Sequence, residues 1–120
     1  MISGIGLDLV EIERIEKLRG RQERFAERVL SAAELQHYEN LPDKRKTEFL
    51  AGRFAAKEAF AKALGTGIGA ELSFQDIEID ADERGKPYIV RPVGQGKKIH
   101  LSITHTKAYA AAQVVIEEGQ

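Results

Sequence analysis

Glu58 and Lys62 lie four residues apart in the run FAAKEAFAKALGTG, and Gly65 continues the same line. In a helix that spacing puts the carboxylate, the ammonium and the glycine on one face. Two chemistries fit such a face. One is a surface Glu-to-Lys pair, worth about a few tenths of a kcal/mol. The other is a phosphate site, with Glu58 on a hard cation and Lys62 on phosphate oxygen. Magnesium takes oxygen ligands, commonly one or two carboxylates together with substrate phosphates and water. Lys57 belongs to the same charged stretch.

Asp8 is the carboxylate best suited to join Glu58. It sits between Leu7 and Leu9 and follows Gly4-Ile5-Gly6, a flexible run in which backbone can approach a ligand closely. The alternative is a solvent-facing carboxylate on a half-buried strand. Glu11 and Glu13 can cap or charge the helix that follows, and Glu11 can alternatively make a water-mediated metal contact. His105 stands between Thr104 and Thr106 at the end of an apolar alternation. It is either a packing or turn histidine, or a donor to phosphate in a pocket completed by Thr hydroxyls and backbone amides. His37 and His100 lie in less polar, less turn-like surroundings.

Gly65 to Gly69, GTGIG, looks like a phosphate loop but follows a helix and lacks the Gly-Lys-Ser/Thr ending, so it is not a P-loop. It also fails the strand-loop-helix context of a dinucleotide fingerprint. Its roles are helix termination and shaping the edge of a cleft. Arg14, Arg21, Arg24 and Arg28 form either a solvated charged face or an electrostatic dock for an acidic protein. Lys44, Arg45 and Arg53 form a second candidate anion surface, suited to a nucleotide phosphate.

The elements that must position these residues are legible as patterns. Ile5, Leu7 and Leu9 alternate with Gly6, Asp8 and Val10, which predicts a first strand with Asp8 pointing away from Leu7 and Leu9. Ile12, Ile15 and Leu18, then Phe25 and Val29, have helical spacing, with a break at Gly20. Ser31 and Glu34 form a capping box for a short helix ended by Pro42. The run from Thr47 to Gly67 is the strongest helix, stopped by Gly65, with Leu50, Phe54, Ala61 and Leu64 as its packing stripe. Two strands with a turn at Arg84-Gly85-Lys86 follow, then a strand ending at His105, a turn from Thr106 to Ala108, and a terminal strand. The fold class is α+β: an N-terminal strand and helices packed on an antiparallel sheet, as one domain over residues 1–120.

The chain has 120 residues, 42% hydrophobic and 31% charged, which is ordinary globular material of one-domain size. With no cysteine, disulfides, a thiolate nucleophile and thiolate-bound metals are excluded, but an oxygen-ligated magnesium site is not. Eighteen basic residues against 19 acidic ones leave a net charge of -1, which predicts no nucleic-acid partner. The first residues contain neither a basic leader nor a long apolar run, so a cytoplasmic protein with no membrane span is expected.

Three separated stretches, GIGLDLVEIERI from Gly4, FAAKEAFAKALGTG from Phe54 and LSITHTKAYAAAQV from Leu101, together resemble the bacterial holo-acyl-carrier-protein synthase family of phosphopantetheinyl transferases. The resemblance spans almost the whole chain. It implies the compact 4'-phosphopantetheinyl transferase-like fold and magnesium-dependent transfer of 4'-phosphopantetheine from coenzyme A to a serine of apo-acyl carrier protein, leaving 3',5'-ADP. It further implies Asp8 and Glu58 as magnesium ligands and Lys62 as a catalytic contact to the coenzyme's phosphates. Gly65, His105 and Thr106 would line the coenzyme site, and Lys44, Arg45 and Arg53 would meet the nucleotide's 3'-phosphate. Arg14, Arg21 and Arg24 would receive the acidic helix of the carrier protein. A homotrimer with active sites between subunits is also implied. Taken without the resemblance, the same residues suit a regulatory coenzyme- or nucleotide-binding module, a carrier-binding protein, or another magnesium-dependent phosphotransferase.

Overall fold

The computed structural model describes residues 1–92, 94 and 96–119. Strand β1 (Ile2–Glu11) leads into helices α1 (Ile12–Arg21), α2 (Phe25–Val29), α3 (Ala32–Glu39) and the 22-residue α4 (Asp43–Leu64). A single 3-10 turn, Phe74–Asp76, precedes β2 (Glu78–Ala81), β3 (Pro87–Arg91), β4 (Lys97–His105) and β5 (Tyr109–Glu118). Strands β1, β5 and β4 form an antiparallel sheet in that order, and β2 pairs with β3 as a separate hairpin. The expected α+β class and element order stand. Two boundaries move. The first helical stretch breaks at Gln22 rather than Gly20, and Pro42 does not merely end α3 but occupies the N-cap of α4, which starts at Asp43, four residues before the expected Thr47.

Helix α4 is the spine of the molecule. Leu50, Ala51, Ala55, Ala56, Ala59, Phe60 and Ala63 are all buried, so it is covered on most of its circumference rather than along one stripe. The predicted stripe is therefore corrected. Leu64 is 37% exposed, and Phe54 is only half-buried, its ring packed between those of Phe25 and Phe74. The reason lies in side-chain size. A run of alanines lets the sheet close on one side of the helix while α1, α2 and α3 close on others.

On β1 the expected alternation holds, with Asp8 on the side opposite Leu7 and Leu9, and the apolar row is the outward one. Ile5, Leu7 and Leu9 are 61, 62 and 64% exposed, whereas Gly6 and Val10 are buried against α4. A Cβ at Gly4 would collide with the Ala63 carbonyl oxygen, and one at Gly6 with that of Ala59. The glycines thus let strand backbone meet helix backbone; the close approach expected for a ligand is made by α4. Because alternate side chains face opposite sides, Asp8 shares the helix-facing side with Gly6 and Val10.

Candidate active site

That alternation brings Asp8 to the flank of α4, where the last turns carry Glu58 and Lys62. The Lys62 ammonium donates to Asp8 Oδ1 at 3.1 Å and to the Leu7 carbonyl oxygen at 3.1 Å, tying helix to strand. Partial burial and the neighbouring Asp8 charge hold the Glu58 carboxyl above the usual carboxylate range, while Lys62 and Arg14 pull it back in part. Two carboxylates close enough to influence each other's charge thus lie beside an ammonium that bridges helix and strand. Gly65 ends the helix just beyond, in the left-handed conformation at φ 82°.

Among the described residues, no group of three or more His, Cys, Asp or Glu is arranged to hold a metal. Asp8 and Glu58 are a pair. A pair fits magnesium carried on a diphosphate, where substrate oxygens and water complete the shell, and does not fit a closed structural metal site.

The second group of expected residues lies elsewhere. Lys44, His105 and Thr106 line a crevice of about 890 Å³ between α1, the start of α4 and the β4–β5 turn, together with Arg19 and Glu48. His105 Nε2 is 3.9 Å from Glu48 Oε2. The Thr106 hydroxyl oxygen accepts the amides of Ala108 and Tyr109, so it shapes the turn and keeps its proton to donate. A smaller adjoining crevice of about 160 Å³ is lined by Arg45, Arg53 and His105. The Arg53 guanidinium lies 4.4 Å from the Phe49 ring centroid, and its buried Nε finds no partner among the described residues. Burial lowers its pKa, a cost that a bound anion would relieve.

Within one chain Lys44 and His105 do not converge on Asp8, whereas Arg53 is five residues from Glu58 on the same helix. Along a straight helix with a rise of about 1.5 Å per residue, Lys44 and Lys62 stand ~27 Å apart, and Glu48, beside His105, is ~15 Å from Glu58. Arg14 and Arg21 share a third crevice, about 320 Å³, with Glu11, Glu13, Lys17 and Leu18. Arg24 is at the N-cap of α2, 3.9 Å from Glu27. Glu11 caps α1 without a side-chain capping bond and lies across from Tyr109 in the outward-facing register, on the opposite side of the sheet from Asp8.

The expected Ser31–Glu34 capping box forms, but the sequence did not reveal that Glu34 also pairs with a buried Lys57. Lys57 Nζ donates to Glu34 Oε1, to the Val29 carbonyl and to the Phe74 carbonyl. Glu34 in turn accepts the amides of Ser31 and Ile79. The pair joins the end of α2, the start of α3, α4, the 3-10 turn and β2, immediately behind Glu58. The capping box was the available signal, but a capping glutamate is ordinarily exposed and says nothing of a buried lysine partner.

Comparison with known proteins agrees across the chain. The family model described as the 4'-phosphopantetheinyl transferase superfamily matches residues 4–115. A holo-[acyl-carrier-protein] synthase of Bacillus subtilis is 65% identical over 117 residues, covering 98% of this chain and 97% of that protein. The crystal structure of a holo-(acyl-carrier-protein) synthase from Bacillus anthracis in complex with CoA (3',5'-ADP) superposes with a TM-score of 0.90 at 50% identity, covering 100% of this chain and 99% of the other. The synthase of Neisseria meningitidis gives 0.88 at 38% identity, over 98% and 100%. With its Asp8, Glu58 and Lys62 grouped on one flank of α4 and its whole length matched, the chain belongs to the holo-acyl-carrier-protein synthase family of 4'-phosphopantetheinyl transferases.

Proposed function

We propose that this enzyme moves the 4'-phosphopantetheine arm of coenzyme A onto a serine of apo-acyl carrier protein, releasing 3',5'-ADP. The observation that carries the reading is the meeting of Asp8, Glu58 and Lys62 where β1 crosses the end of α4, in a chain 65% identical to a holo-[acyl-carrier-protein] synthase. Asp8 and Glu58 would hold magnesium, which when bound would offset charge on the diphosphate. Lys62 binds a phosphate oxygen and stabilises the charge that grows on the leaving 3',5'-ADP.

The remaining residues bind and orient. Gly65 shapes the edge of the cleft, while His105, Thr106, Lys44, Arg45 and Arg53 form the wall that takes the nucleotide and its 3'-phosphate. Arg14, Arg21 and Arg24 supply the positive face for the acidic carrier. His105, beside Glu48, and Lys44 stand ~15 Å or more from Glu58 along α4, with Arg53 between at ~7.5 Å, a spread that supports a site completed by the wall of a neighbouring copy. A homotrimer also gives Ile5, Leu7 and Leu9 a cover. A cytoplasmic location fits the coenzyme donor, and among the described residues no helix is long and apolar enough to cross a membrane. The near-neutral charge gives no reason to expect a nucleic-acid partner.

The test is direct. Incubation with apo-carrier, coenzyme A and magnesium should add one phosphopantetheine group to the carrier's serine by intact mass. A chelator or Glu58→Gln should abolish the gain. Coenzyme binding without transfer, across several competent carriers, would move the reading to a regulatory coenzyme-binding module.

A further inference from the structure

Asp8 already has a cation. Lys62 Nζ contacts Asp8 Oδ1 at 3.1 Å and the Leu7 carbonyl oxygen at 3.1 Å, bridging from the last turn of α4 to β1 although Glu58 is one turn away on its own helix. The two ends of that contact differ in freedom. The Asp8 side chain is 14% exposed and set by a paired strand; the Lys62 side chain is 51% exposed on a flexible four-carbon stem. The lysine end can swing by several ångströms through rotamer changes alone, and the aspartate end cannot.

We propose that Lys62 is the resident counter-ion of Asp8 in the coenzyme-free protein and leaves it for the diphosphate, so that coenzyme and magnesium bind with positive coupling carried by this one side chain. The inference rests on the assignment of Asp8 and Glu58 to magnesium. Without coenzyme, a divalent cation can take Asp8 Oδ1 only by displacing the ammonium, and on either oxygen it sits beside that positive charge. With the diphosphate present, the displaced ammonium gains phosphate oxygens as charge-assisted acceptors. The exchange replaces one ion pair by two, and thermodynamic linkage makes the benefit mutual.

Magnesium chloride titrated calorimetrically into the full chain, with coenzyme A present or absent and no carrier, tests this without turnover. Lys62→Met should bind magnesium alone about five- to tenfold more tightly than wild type, as removal of a partly exposed competing charge predicts. Coenzyme A should then tighten magnesium binding less in the variant than in wild type. Lys62→Arg, which restores a cation, should return the weak coenzyme-free affinity. The half-exposed Lys62 can be replaced without opening the core, and circular dichroism checks that. Equal or weaker coenzyme-free magnesium binding by a folded Lys62→Met overturns the exchange. Asp8→Asn separates the two failures. If it abolishes magnesium binding while Lys62→Met changes nothing, only the exchange is wrong. If wild type and Asp8→Asn bind magnesium alike, the metal assignment fails and the exchange with it.

Discussion

Lys57 Nζ stands 2.6 Å from Glu34 Oε1, with the two side chains 0 and 2% exposed. Burial lowers the Lys57 pKa, and Glu34 opposes that shift by its charge and hydrogen bond. Lys57→Met would leave Glu34 charged and buried and would strip a donor from the Val29 and Phe74 carbonyls. The expected loss is about 3–5 kcal/mol by denaturant unfolding. Glu34→Gln in the same background should recover part of it, because it removes the uncompensated charge. A double variant no more stable than Lys57→Met would mean that the carbonyls, not the ion pair, carry the cost.

Gly6 faces the Ala59 carbonyl with no room for a methyl group. Gly6→Ala must push β1 off α4, and with it Asp8 from Lys62. It should cost more than the ~1 kcal/mol of an ordinary single substitution and lower transfer activity together with stability. Gly20 is the contrast, an exposed residue inside α1 with open space around it. Gly20→Ala should raise stability by about 0.5–1 kcal/mol and leave activity alone. Thermal unfolding of the two variants side by side checks both signs.

The same glycines show where the sequence could and could not be read. Alternation marked β1, β4 and β5, and the Ser31 box marked α3, because those signals are local. Which side of β1 faces inward is not local. Ile5, Leu7 and Leu9 look like a core row and Gly6 like a loop residue until α4 is known to need backbone contact. Lys57 has the same character: beside Glu58 it reads as a surface charge, and only packing by α3 and the 3-10 turn shows that it is buried. Glu58 and Lys62 could be placed on one face by their spacing and Asp8 by its position between Leu7 and Leu9, while their joint role came from the resemblance of three stretches to a known family. Their distance from Lys44 and His105 depends on the length of α4, whose first residues after Pro42 carry no apolar signal.

Glu58 makes stability depend on pH in the metal-free protein. Its folded pKa is raised by burial first and by Asp8 second. Its contribution is therefore fully present below the ordinary glutamate value and is lost as pH rises through the folded one. Glu58→Gln, which cannot ionise, should melt higher than wild type near neutral pH in a chelating buffer. That advantage should shrink as pH falls below the glutamate range. Saturating magnesium and coenzyme A should reverse the order at neutral pH by stabilising wild type alone. An advantage for Glu58→Gln that persists at low pH would assign it to packing rather than charge.

Leu7 lies at the centre of the exposed row on β1, opposite Gln113 of β5. Leu7→Glu should leave the monomer fold intact, since the side chain contributes nothing to the buried core. If the proposed trimer covers this row, the variant should be monomeric by light scattering where wild type is trimeric, and should lose transfer for want of a neighbour's wall. Full activity in a monomer would refute the shared site.

Sharing also predicts rescue. Under the proposed assignment Glu58→Gln damages the carboxylate half of a site and His105→Ala the wall half, and in the proposed cyclic trimer each site would take one half from each of two neighbours. Co-refolded in equal amounts, two impaired proteins should regain transfer at about one quarter of the sites, where an intact carboxylate half meets an intact wall. Mixing without unfolding should restore nothing until subunits exchange. If each chain held a complete site, no mixture would exceed the sum of its parts, and the ~15 Å between Glu48 and Glu58 would then have to be spanned by coenzyme within one subunit.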